Sequence, residues 1–155
     1  MVIYQLDRYL KRGSEGVHKL YKMIKYLFYN KYIRKSLELQ YNSIAVVDDE
    51  EDIIIVFKAV LQENGYDVIG FTNPLMALDY ILKHPDIFDL IIIDYKMSPM
   101  QGCELSNKIS TINPNIKMVI ITAYDNVINN DLNLEIVKKP ITNTTLLEII
   151  HHYLN

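Results

Sequence analysis

The sequence predicts an open α/β domain on a mostly parallel sheet, preceded by a basic extension. Three observations carry that expectation. Short β-branched runs alternate with stretches whose apolar residues recur at helical spacing, the pattern of βαβ units. One run, Leu90-Ile91-Ile92-Ile93, is continuously apolar and ends on Asp94, as a central strand buried on both faces should. Composition also changes near Ser43. Residues 1–42 hold nine Lys/Arg against three Asp/Glu, and residues 43–155 hold seven against sixteen, so the two parts carry +6 and −9. Seven of the twelve tyrosines fall in the first part. The chain is therefore divided into a basic, Tyr-rich extension over 1–42 and an acidic domain over 43–155.

The elements follow in order. Ile44-Ala45-Val46-Val47 is the first strand. A helix from about Asp52 to Glu63 places Ile53, Val56, Phe57, Val60 and Leu61 on an apolar stripe, and Gly65 stands just past its end. Asp67 to Phe71 is the second strand. Asn73 can cap the next helix, Pro74 suits its first position, and Pro85 closes it. Leu90 to Ile93 is the third strand, and a short helix starts near Gly102. Met118 to Ile121 is the fourth strand, Leu134 to Val137 a shorter fifth, and Thr144 to Leu154 the last helix. The count is five strands and about five helices.

Length and composition exclude several classes. At 155 residues, half of them apolar and 23% charged, the chain can bury a real core. The single cysteine, Cys103, excludes a disulfide framework and a multi-cysteine zinc site. The longest membrane-span candidate, Met23 to Ile33, is broken by Lys25 and Lys31. Asp7 and Arg8 interrupt the first apolar stretch, so no signal peptide is expected. A reducing, cytoplasmic location follows as the expectation.

Polar residues gather where the apolar runs end. Asp48 and Asp49 follow the first strand, Asp94 the third, Thr122 the fourth, and Lys138, Lys139 and Pro140 the fifth. In an open parallel sheet, sites form at the carboxyl ends of the strands, so these residues should converge. Three carboxylates in one pocket repel one another unless something compensates them. A hard divalent cation with oxygen ligands is the natural compensation, and Mg²⁺ uses one or two carboxylates plus waters and a phosphate oxygen. Lys139 can hold an anionic group as a point charge and Thr122 can hydrogen-bond it. The parts describe a phosphoryl-transfer site.

The set resembles the receiver domain of two-component response regulators, the CheY-like family. The matching segments are Val47-Asp48-Asp49-Glu50, Ile93-Asp94-Tyr95-Lys96-Met97, Gly102, Ile121-Thr122-Ala123 and Lys139-Pro140, spread over residues 43–155. The resemblance implies a flavodoxin-like (βα)5 doubly wound sheet of strand order 2-1-3-4-5. It implies Asp94 as phosphoacceptor. Mg²⁺ would be held by Asp49 directly, by Asp48 largely through water, by Asp94, and by the backbone carbonyl of Lys96. Thr122 would be the switch hydroxyl, Lys139 the lysine contacting the phosphoryl group, and Lys139–Pro140 a cis peptide.

Four features depart from the family pattern. Ser98 separates Met97 from Pro99 in the loop past the acceptor. Thr122 and Lys139 are 17 positions apart, several fewer than usual, so the fourth helix should be short or irregular. Ile136 occupies the switch position where the family usually places Tyr or Phe. Residues 1–42 match nothing in the family.

The resemblance implies a single-domain response regulator, a signalling protein rather than an enzyme. Asp94 would take a phosphoryl group from a sensor histidine kinase or phosphotransfer protein and switch contact with a downstream protein. The alternatives are an unphosphorylated pseudo-receiver acting as an interaction module, and a small aspartyl-phosphate phosphatase. The phosphatase is disfavoured because Lys96, not a second acid, stands two residues past Asp94. Lys96 and Tyr124, two positions past the acceptor and two past Thr122, are the residues expected to tune dephosphorylation by shielding the phosphoryl group from water. Lys138 is one residue out of register, Cys103 reads as a helix-packing residue, and the four histidines show no ligand-like grouping. The extension reads as an amphipathic helix from about Glu15 to Leu39. It would pack on its own domain or a second copy of the chain, or bind an anionic surface; a disordered leader or a wrong start codon is the remaining reading. No helix-turn-helix pattern supports a specific DNA reader.

Overall fold

Five parallel strands form the centre of the structure, a computed structural model that describes residues 42–124 and 134–154. In chain order the elements are β1 (Ser43–Val47), α1 (Glu51–Glu63), β2 (Asp67–Phe71), α2 (Pro74–Lys83), β3 (Leu90–Asp94), α3 (Gly102–Ile112), β4 (Lys117–Thr122), β5 (Glu135–Lys138) and α4 (Asn143–Leu154). The sheet order is β2-β1-β3-β4-β5 and every pairing is parallel, so the flavodoxin-like order expected from the resemblance is present. The extension over 1–42, with its expected helix from Glu15 to Leu39, lies outside the described residues apart from Asn42. So does the helix expected between Thr122 and β5, apart from its flanks.

Alternation along the strands makes two cores. Successive strand residues point to opposite faces. Ile44, Val46, Leu90 and Ile92 meet Phe57 and Leu61 of α1 and Leu146 and Ile150 of α4 on one face. Ala45, Val47, Ile91 and Ile93 meet Ala77 and Ile81 of α2 and Leu105 and Ile109 of α3 on the other. β1 and β3 are buried at every residue, which explains why their sequences carry no polar alternation.

The helix termini follow their local signals. The Asn73 carboxamide oxygen accepts from the Leu75 and Met76 amides at 2.8 and 3.4 Å, with Pro74 opening α2. At the end of α1, Tyr66 N–H donates to Leu61 O and Gly65 N–H to Gln62 O, a Schellman arrangement. It needs the positive φ of 86° that Gly65 supplies.

The fifth strand departs from the sequence expectation by one residue. It begins at Glu135 instead of Leu134 and continues through Lys138. The reason is register: Lys138 pairs with Thr122, and the Lys139 N–H then donates to the Thr122 carbonyl at 2.7 Å. The ladder therefore holds the chain up to the residue that enters the site. Lys138, in the strand, is exposed, while Lys139 turns inward, as the period-2 alternation requires.

Candidate functional site

The carboxyl ends of β1, β3, β4 and β5 bring Asp48, Asp94, Thr122 and Lys139 together across 91 positions of sequence. Asp48, Asp94 and Thr122 are buried, at 3%, 8% and 1% exposure, and Asp49 is exposed at the rim. Carboxylate oxygens of Asp48, Asp49 and Asp94 lie within 4.8 Å of one another.

Each buried carboxylate is held by one backbone amide and by the same ammonium. Asp48 Oδ1 accepts from Glu50 N–H at 2.9 Å, and its Oδ2 accepts from Lys139 Nζ at 3.0 Å. Asp94 Oδ2 accepts from Lys96 N–H at 2.8 Å, and its Oδ1 lies 2.6 Å from Lys139 Nζ. Burial pushes the Asp48 carboxyl above its usual range, more than its hydrogen bonds to Glu50 and Lys139 pull it down. Burial opposes the charge of Lys139, but its hydrogen bonds to Asp94 and Asp48 and their charges outweigh that and hold its pKa high. The ammonium therefore stays charged at neutral pH.

Gly102 explains the closeness of α3 to Asp94. A Cβ there would stand 2.2 Å from the Asp94 carbonyl oxygen, so only glycine lets α3 start on the end of β3. Its N–H donates to the Tyr95 carbonyl at 2.9 Å and closes the loop after β3. Within that loop Ser98–Pro99 is cis, as is Lys139–Pro140 beyond β5. Cys103, one residue into α3, is a half-buried free thiol.

The mouth of the pocket carries an arrangement that residue spacing placed nearby but did not join. Lys96 Nζ donates to Tyr124 OH at 2.7 Å and lies 5.1 Å from that ring's centroid. The Tyr95 ring lies 6.4 Å from the Tyr124 ring. The Tyr124 hydroxyl, and less strongly the Asp49 charge, raises the Lys96 pKa. Glu50 has no role expected from the sequence, yet its carboxylate stands 3.8 Å from Lys139 Nζ. The available signal was its place directly after the acidic pair, at the start of α1. Ile136 lies in β5, partly buried, and contributes no polar atom to the site.

The residues present fit a hard divalent cation. Three carboxylates face one bridging ammonium, an anionic surplus formed by the oxygen donors such a cation prefers.

The response regulator receiver domain family matches residues 44–151, and the chain belongs to that family. Over 84 residues the chain is 38% identical to the transcriptional regulatory protein ZraR of Klebsiella oxytoca, covering 54% of this chain and 18% of that protein. Over 81 residues it is 36% identical to sporulation initiation phosphotransferase F of Bacillus subtilis (strain 168), covering 52% of this chain and 64% of that protein. The chain thus spans less than two thirds of the length of these curated relatives. A solved structure of the response regulator protein TrrA from Thermotoga maritima, in complex with Mg²⁺ and BeF, is similar at a TM-score of 0.65 and 29% identity, covering 73% of this chain and 99% of that one. The protein therefore carries the receiver domain of a two-component response regulator, a signalling domain. No described helix is long and apolar enough to cross a membrane.

Proposed function

We propose that Asp94 accepts a phosphoryl group from the phosphohistidine of a sensor histidine kinase or phosphotransfer protein, and that the modified domain changes a protein contact. The observation that carries this reading is the buried Asp94 carboxylate, held by Lys96 N–H and Lys139 Nζ beside two further carboxylates. One Asp94 oxygen attacks phosphorus, the phosphorus–nitrogen bond of the donor breaks, and the donor imidazole, already protonated on its other nitrogen, leaves as the neutral ring. Asp48, Asp49, Asp94 and the Lys96 carbonyl are the groups that would hold Mg²⁺, which when bound neutralises phosphoryl charge. Lys139 is already charged and oriented, so it can follow the phosphoryl oxygens without first gaining a proton. The Thr122 hydroxyl, at the end of β4, supplies the second donor. We place the reaction in the cytoplasm, where the free thiol of Cys103 would stay reduced.

The test is mass spectrometry of the full chain after acetyl phosphate and Mg²⁺. One labile adduct on Asp94 supports the reading. No adduct indicates an unphosphorylated interaction module, and repeated release of phosphate indicates a phosphatase; either overturns it. All reacting groups follow Ser43, so a chain starting near Leu39 should fold and take up phosphate at an unchanged rate. An insoluble or inert product would show that the 43–155 boundary cuts into the working domain.

A further inference from the structure

Among the described residues, Tyr124 makes two hydrogen bonds, and both end on groups beside Asp94. Its N–H donates to Thr122 Oγ1 at 3.0 Å, and its hydroxyl accepts from Lys96 Nζ at 2.7 Å. Lys96 is in turn tied to the acceptor, because its own N–H donates to Asp94 Oδ2 at 2.8 Å. The Tyr124 side chain is 47% exposed, and among the described residues its ring lies near Lys96 Nζ and the Tyr95 ring. A side chain so placed moves at low cost when its bonds are redirected.

We propose that the Lys96–Tyr124 bond is a latch of the unphosphorylated state, opened by a phosphoryl group on Asp94. The proposal rests on the reading of Asp94 as acceptor. A phosphoryl group adds strong anionic acceptors next to the Lys96 backbone. A charge-assisted bond from Lys96 Nζ to such an oxygen is stronger than its bond to a neutral phenol. The Thr122 hydroxyl answers the same anion. When Oγ1 turns toward it, the Tyr124 N–H either loses its acceptor or is drawn along with it. In both cases Tyr124 leaves its present position. The latch thereby converts a charge buried in the pocket into a displaced aromatic ring on the surface after β4. On β5, Ile136 has no polar atom with which to sense the phosphoryl group.

The experiment uses the full chain with tyrosine labelled with carbon-13 at Cζ, and Mg²⁺ with beryllofluoride as the phosphoryl mimic. Tyr124→Phe assigns the Tyr124 signal by its disappearance. Bound beryllofluoride is read independently by its fluorine-19 resonance. The expected result is a Tyr124 Cζ shift that tracks adduct formation. In Lys96→Met the signal should already be displaced before the mimic is added, and adduct formation should move it less than a third as far. Adduct formation with an unmoved Tyr124 signal overturns the latch and leaves the Asp94 reading intact. So does a Lys96→Met spectrum that matches wild type before and after. Absence of any bound beryllofluoride resonance overturns the Asp94 reading and the latch with it.

Discussion

The two halves of the sheet are built to different standards. β1 and β3 lie inside it, each paired on both sides and buried at every residue, and Asp48 and Asp94 extend directly from them. β5 is a four-residue edge strand with one neighbour, exposed at both ends, and Lys139 extends from it. Tyr124, two residues past β4, is half exposed. The carboxylates therefore sit on the stiff half, and two of the groups proposed to answer a phosphoryl group, Lys139 and Tyr124, sit on the soft half. A reacting atom needs fixed geometry, whereas a responding surface needs two arrangements close in energy.

The largest effect is expected on the stiff half. Asp94→Asn should abolish phosphoryl uptake from acetyl phosphate while leaving the circular dichroism spectrum unchanged, since the carboxamide fills the same space. A phosphorylated fraction equal to wild type would sink the assignment. Packing should show the same contrast in stability. Ile92→Ala removes a fully buried side chain from β3 and should cost about 3–4 kcal/mol. Ile136→Ala, in the partly buried edge strand, should cost about 1 kcal/mol. Urea denaturation measures both, and equal losses would erase the distinction between the halves.

A smaller effect is expected where the halves meet. The aspartyl phosphate proposed on Asp94 would be lost when water attacks phosphorus; Lys96 stands at the mouth of the pocket, with Tyr124 bonded to it until the proposed latch opens. Neither is a carboxylate or carboxamide that would orient the water by accepting its proton. Lys96→Asn should speed phosphate loss by up to about tenfold, a barrier change of about 1.4 kcal/mol. Tyr124→Ala should speed it less, because the opened latch has already moved that ring and Lys96 remains to face the phosphoryl group. The double mutant should be fastest. Unchanged or slower loss in all three would refute shielding by this pair.

The stiff half was the more legible in the sequence. Leu90 to Ile93 could be read as a doubly buried strand because burial on both faces removes all polar alternation, and Asp94 stood out as the first charge after it. The convergence of Asp48, Asp94, Thr122 and Lys139 followed from a rule about strand ends. The soft half was harder. The sequence pattern starts β5 one residue early, because an edge strand of four residues carries little periodicity and its limits are set by pairing with β4. The Lys96–Tyr124 bond joins two loops 28 positions apart through flexible side chains. Spacing along the chain brings both to the mouth but cannot say that they touch.

The smallest effect tests what holds the edge strand against α4. The Tyr153 phenol in α4 is half-buried, and burial, followed by its hydrogen bond to the Glu135 carboxylate at the start of β5, pushes its pKa up to about 12. Ionising it would place a phenolate beside that carboxylate. For an acid whose pKa is raised on folding, the stabilising contribution is fully present below the unfolded value near 10. It is lost as pH rises through the folded value. Wild type should therefore exceed Tyr153→Phe in stability by about 0.5 kcal/mol at pH 8, the low end for a hydrogen bond in a partly solvated site. That difference should shrink between pH 10 and 12. Other titrating groups are present in both proteins and cancel in the difference. Paired urea titrations at pH 8, 10 and 11.5 measure it. A difference that stays constant through pH 11.5 would show that the Tyr153–Glu135 bond does not tie β5 to α4, and the softness of that edge would need another cause.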